Sequence, residues 1–114
     1  MEILSFDDVW IHRERLLATR IRVRGQFFSN ETAYVATDFE SCVAGRRMRL
    51  LDEGAIEKHL LNLIPAWGGG PFILNELIIV TGTIQRRVSE FEIGELADCV
   101  VTSSDGEITV DVSL

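Results

Sequence analysis

The sequence predicts a mainly-β domain: five to six strands with one long helix among them and a second, short helix at the N-terminus. Three observations carry this. Aliphatic residues alternate with arginines over Thr19–Phe28, the period of two that a half-buried strand requires. A long apolar stripe at helical spacing occurs once, over Asp52–Ile64. β-Branched segments on both sides of Ser104-Asp105-Gly106 make a hairpin signal. A parallel α/β architecture needs a helix between successive strands, and this chain has too few. The competing expectation is an α+β sheet with one helix packed on it.

In chain order, Ser5 is placed to cap a helix over Phe6–Ile11. Asp7 and Asp8 complement its dipole, and Phe6, Val9 and Trp10 fall on one face. His12–Leu17 reads equally as continuation or break. In Thr19–Phe28, Ile21, Val23 and Gly25 share one face, and Arg20, Arg22 and Arg24 the other. Ser29-Asn30-Glu31 reads as a turn. Thr32–Thr37 is a second strand, and Ser41–Leu50 contains a third. The main helix runs over Asp52–Ile64, capped by Asp52, stopped by Pro65, and buried through Ile56, Leu60, Leu63 and Ile64. Residues 66–71 form an irregular loop. Glu76–Arg86 is a fourth strand, Arg87–Gly94 an acidic loop or edge, and Glu95–Ser103 and Glu107–Val112 a closing hairpin. Gly25 and Gly82 each sit mid-strand, which marks a bulge or a sharp bend.

A length of 114 residues fits one domain, 1–114. The 18 acidic residues outweigh the 11 basic ones and give a net charge of -7, which disfavours a general polyanion binder. The acidity is concentrated toward the C-terminus: after Arg87 the chain contains no basic residue. Cys42 and Cys99 lie too far apart for a metal-binding Cys motif, and two reduced, buried thiols are expected, with no cofactor and no metal. The N-terminal stretch has no apolar core of a secretory signal, and no apolar run approaches a membrane span, so a cytoplasmic location is expected.

Three strands, one helix and then more strands is the order of the OB fold, a small Greek-key barrel that binds oligonucleotides and oligosaccharides. The opening resembles a class of small bacterial OB-like domains in which a capped helix runs into a strand of the form V-x-V-x-G. The matching residues are Ser5-Phe6-Asp7-Asp8 and Ile21-Arg22-Val23-Arg24-Gly25. The resemblance covers residues 5 to about 103, and the segment beyond Gly106 departs from it. It implies a β-barrel of five to six strands, plugged by Asp52–Ile64 between strands three and four, with a binding face on the second and third strands.

Candidate binding residues follow from that face and from composition. They are Arg20, Arg22 and Arg24, joined by Arg46, Arg47 and Arg49 if the two strands adjoin, with Tyr34 and Phe39 as stacking groups and Trp67 as a lid or partner anchor. The bland alternative is a solvated strand face whose arginines pair with Glu31, Asp38 and Glu40. No catalytic residue is assigned. Gly68-Gly69-Gly70 lacks the Lys and the strand–loop–helix setting of a phosphate loop. His12 and His59 lack co-ligands, and Glu90, Glu92 and Glu95 read as a solvated acidic surface. The functional expectation is a non-enzymatic module acting through a protein partner, an immunity or accessory protein being one concrete form, and a homodimer is compatible with it. A single-stranded nucleic-acid-binding OB domain is the alternative.

Overall fold

The computed structural model describes residues 1–63, 70–72, 74–103 and 106–112. Its elements are β1 (Ile3–Ser5), α1 (Phe6–Ile11), β2 (Arg20–Asn30), β3 (Thr32–Ala36), α2 (Phe39–Val43), β4 (Arg47–Leu50), α3 (Ala55–Leu61), β5 (Leu74–Arg87), β6 (Glu90–Ser103) and β7 (Gly106–Val110).

Strands β2, β3, β4, β6 and β5 pair in that order, and β5 pairs back to β2, which closes a five-stranded barrel. All contacts in the ring are antiparallel except β4 with β6, where Arg49 and Leu50 run parallel to Glu92 and Ile93. This closed order is that of an OB-like barrel. Two strands extend it: β1 lies parallel to the first half of β2, and β7 lies antiparallel on β6.

Alternation decides what faces inward. Ile21, Val23 and Phe27 of β2, Val35 of β3, Met48 and Leu50 of β4, Ile84 of β5 and Ile93 of β6 are all buried in the barrel core. Each large side chain there contributes about 1.5–3 kcal/mol by leaving water. At Gly25, β2 exchanges one neighbour for another: Arg24 still pairs with Ser5 of β1, while Gln26 pairs with Ala36 of β3. Gly82 lies where the β5–β6 register slips, the extra residues falling on β6. Glu95 and Asp98 of β6 adopt left-handed conformations (φ 51° and 49°) around those slips, as bulged residues do. Gly82 therefore lies across from bulged residues of β6, whereas β2 keeps an unbroken register with β5 through Gly25.

Helix α1 is capped by Ser5, whose hydroxyl accepts from the Asp8 amide at 3.3 Å, and it buries Phe6 and Val9. Residues 12–18 leave the helix as a series of turns. Helix α3 buries Ile56 and Leu60 within the core. It is shorter than the Asp52–Ile64 expected. Gly54, at φ 80°, holds the position before it, and Asn62 ends it, so Leu63 falls past the end and is 57% exposed. Asp52 still performs the capping expected of it, from two residues further back. Its buried carboxylate accepts from the amides of Gly54 and Ile56, both at 3.0 Å. Ile64, Pro65 and Ser104-Asp105 lie outside the described residues.

The third strand expected within Ser41–Leu50 is β4, and the first part of that segment is helix α2, because Asp38 accepts from the Ser41 amide at 2.7 Å and nucleates a turn there. One further expectation is corrected. The segment Arg87–Gly94 is not a loop: β5 and β6 connect across Val88 and Ser89 alone, with Arg87 paired to Glu90. Cys42 and Cys99 are buried free thiols. Burial, and secondarily the Asp52 carboxylate, pushes the Cys99 thiol up to about 12.

Candidate functional site

Five elements, α1, β3, β4, β5 and β6, meet at one cleft of about 290 Å³. Helix α1 contributes Trp10, and Arg13 follows one turn later. The Arg13 guanidinium lies 4.1 Å from the Trp10 ring centroid and donates to the Trp10 carbonyl at 2.7 Å. Trp10 in turn stacks on Phe6, at 6.2 Å and 29° between planes. From β3 comes Tyr34, directly across from Arg49 of β4. Arg47 of β4 lies 4.1 Å over the Tyr34 ring and donates to the Cys42 carbonyl at 3.3 Å. The β5–β6 hairpin adds the cross-strand pair Arg86 and Phe91, with the guanidinium 5.3 Å from the ring. Arg13 reaches the same ring at 5.6 Å.

Two of the arginines are thus stacked closely on aromatic rings and tied to main-chain carbonyls, which fixes their planes. Such contacts are worth about 0.5–2 kcal/mol each, depending on desolvation. The cleft is also a local inversion of sign. Arg13, Arg47, Arg49 and Arg86 line it against Glu14 and Glu90, and Glu14 bridges Arg86 at 3.6 Å. Arg47 acts behind the cleft as well: burial pushes the Cys42 thiol up, and the Arg47 charge opposes that rise.

The structure brings together three of the residues read from sequence, Tyr34, Arg47 and Arg49. It separates the others. β4 does not adjoin β2, because β3 lies between them, so the six arginines do not form one patch. Arg20 donates to the Thr83 hydroxyl at 3.4 Å and to the Glu95 carbonyl at 2.9 Å. Arg22 is half-buried, its Nε without a hydrogen-bond partner among the described residues, and Arg24 is exposed. Arg46 is exposed beyond α2. Its charge adds to the Ser41 hydrogen bonds, backbone first, that hold Asp38 below the usual carboxylate range. Phe39 packs away from the cleft, in a cluster with Phe28 (6.2 Å) and Phe72 (6.1 Å). Trp67, with Gly68 and Gly69, lies outside the described residues.

Trp10, Arg13, Arg86 and Phe91 are cleft residues that the sequence reading missed. The spacing of Trp10 and Arg13 was a usable signal, since residues three apart on a helical turn meet. The acids scatter: Glu90 lines the cleft, Glu92 is buried across from Arg49, and Glu95 accepts from the Thr83 hydroxyl at 3.2 Å. His12 and His59 are exposed, and among the described residues no cluster of His, Cys, Asp and Glu is placed to hold a metal ion. No described helix is long and apolar enough to cross a membrane. No family model, curated protein or solved structure matches this chain.

Proposed function

We propose that this chain is a non-enzymatic binding module that acts through a protein partner, and that its cleft receives an acidic segment of that partner. One observation carries the reading: Arg13 on Trp10 and Arg47 on Tyr34, each at 4.1 Å, lie along one cleft. Trp, Tyr and Arg are the residue types that dominate binding energy at protein interfaces, and they do so where they are held before the partner arrives. Stacking and carbonyl hydrogen bonds do that here. A guanidinium fixed in plane offers its remaining N–H groups to a carboxylate in two-point fashion.

The nucleic-acid alternative rests on the position of the cleft, since Tyr34, Arg47 and Arg49 stand on the second and third strands of the barrel ring. Two features weigh against it. Arg13 and Arg47 already cover ring faces that bases would stack on. The chain's net charge of -7 opposes the approach of a polyanion, most strongly at low salt where screening is weakest.

The test pans the immobilised protein against a random peptide library. Selected peptides are then titrated against wild type, Arg47→Glu and Arg24→Glu. Acidic peptides whose affinity falls at least about tenfold with Arg47→Glu and stays level with Arg24→Glu support the reading. A labelled single strand of about 20 nucleotides is titrated in parallel at about 50 mM salt. Sub-micromolar binding of that strand, lost with Arg47→Glu, would overturn the protein-partner reading in favour of nucleic acid.

A further inference from the structure

We propose that a second copy of this chain docks on the outer sheet face formed by β1, β2, β5, β6 and β7, away from the cleft. The register places side chains there in continuous rows. Ser5, Arg24, Ile79, Val100 and Thr109 form one row, and Gln26, Leu77, Thr102 and Glu107 the next. Directly paired residues point to the same side of a sheet, so each row lies on one face. The centre of the face is apolar and open: Leu77 is 51% exposed, and Ile79 and Val100 are half-buried. Its flanks are of opposite charge. Arg22 and Arg24 stand on β2, and Glu107 stands on β7 about 14 Å away, three strand spacings across. Neither Arg24 nor Glu107 forms an ion pair among the described residues.

That pattern is complementary to itself under one symmetry operation. A two-fold axis lying in the face and running along the strands between β5 and β6 sets β2 of one copy against β7 of the other. Arg24 then comes within reach of the partner copy's acidic flank, and Ile79 packs on Val100. An axis across the strands would lay the β2 arginines on one another, so the charges select the first arrangement. The patch spans about 24 by 20 Å, and pairing two of them buries roughly 1,000 Å² in total. That is the lower end for a specific interface and fits a dimer with a micromolar Kd.

Sedimentation equilibrium at about 100 μM protein and about 150 mM salt tests it. The expected mass is twice the 12.8 kDa of one chain. Leu77→Glu and Arg24→Glu, both at exposed positions, are each expected to weaken self-association at least about tenfold. Arg24→Glu combined with Glu107→Arg is expected to restore it, because the pair is exchanged rather than removed. A monomeric wild type at that concentration, or a dimer that persists in Leu77→Glu, would overturn the proposal. Neither result bears on the cleft, whose peptide binding is measured at concentrations below dimerisation.

Discussion

The molecule carries two sets of arginines built in opposite ways. Arg20, Arg22 and Arg24 stand in a row on one strand, and none has an aromatic partner among the described residues. Arg13 in the turns after α1, Arg47 of β4 and Arg86 of β5 each lie over a ring. In the first set the backbone spaces the charges along one face: Arg20 is tied to Thr83 and Glu95, Arg22 is half-buried, and Arg24 stands exposed, which suits a broad face meeting another broad face. In the second, ring stacking and carbonyl hydrogen bonds fix the guanidinium planes, which suits recognition of a small group at defined geometry. The same residue type thus serves two purposes, and the difference lies in what surrounds the charge.

Gly25 is the hinge between the two sets, because β2 passes there from its pairing with β1 to its pairing with β3. A Cβ at this position would lie 2.8 Å from Val35 Cγ2 and 2.9 Å from the Ala36 carbonyl oxygen. The carbonyl belongs to the β2–β3 ladder and cannot yield. Gly25→Ala is expected to lower stability by about 2–3 kcal/mol in urea unfolding, with changed chemical shifts around Tyr34 and Arg47 in NMR spectra. A loss under about 0.5 kcal/mol would mean that the corner gives way freely and does not hold the two surfaces apart.

The next test compares one member of each set. Arg47→Ala removes a ring contact and a carbonyl hydrogen bond, and an expected loss of about 1 kcal/mol follows. Arg24→Ala removes an exposed side chain and should stay within about 0.5 kcal/mol. Equal effects from the two substitutions would erase the distinction between them.

The barrel was legible because its signals are local. Ser5 with Phe6, Val9 and Trp10 marks α1, and the alternation in β2 marks its buried face. Gly82 marks the bulged stretch of the β5–β6 pair, and Ile56 with Leu60 marks the helix that fills the core. Helix α2 was missed because its cap, Asp38, follows a strand-like run and the helix is one turn long. The cleft was half legible. Tyr34, Arg47 and Arg49 follow from the barrel type, whereas Arg86 meets Phe91 only once β5 and β6 are known to join across Val88 and Ser89. Val-Ser carries no turn signal of the Asn-Gly kind, so nothing local announced that pairing. The β2 arginines were legible as a pattern, yet a regular pattern on a strand says which face is polar and not what meets it.

That silent turn supplies the last test. Val88 holds φ at 58° in the two-residue connection and is 92% exposed, so no packing rewards a β-branched side chain there. A β-branched residue in the left-handed region is strained by its own Cβ substituents. Asn tolerates that region, whereas Gly tolerates it but loses more chain entropy on folding. Val88→Asn is therefore expected to stabilise the fold by about 1 kcal/mol, roughly 4 °C in Tm, and Val88→Gly by less. The hairpin carries Arg86 and Phe91 into the cleft, so peptide affinity separates two roles for the strain. Unchanged affinity in Val88→Asn means that the turn only joins two strands. A more stable variant with at least about tenfold weaker peptide binding means that the valine side chain itself meets the partner at the cleft's rim.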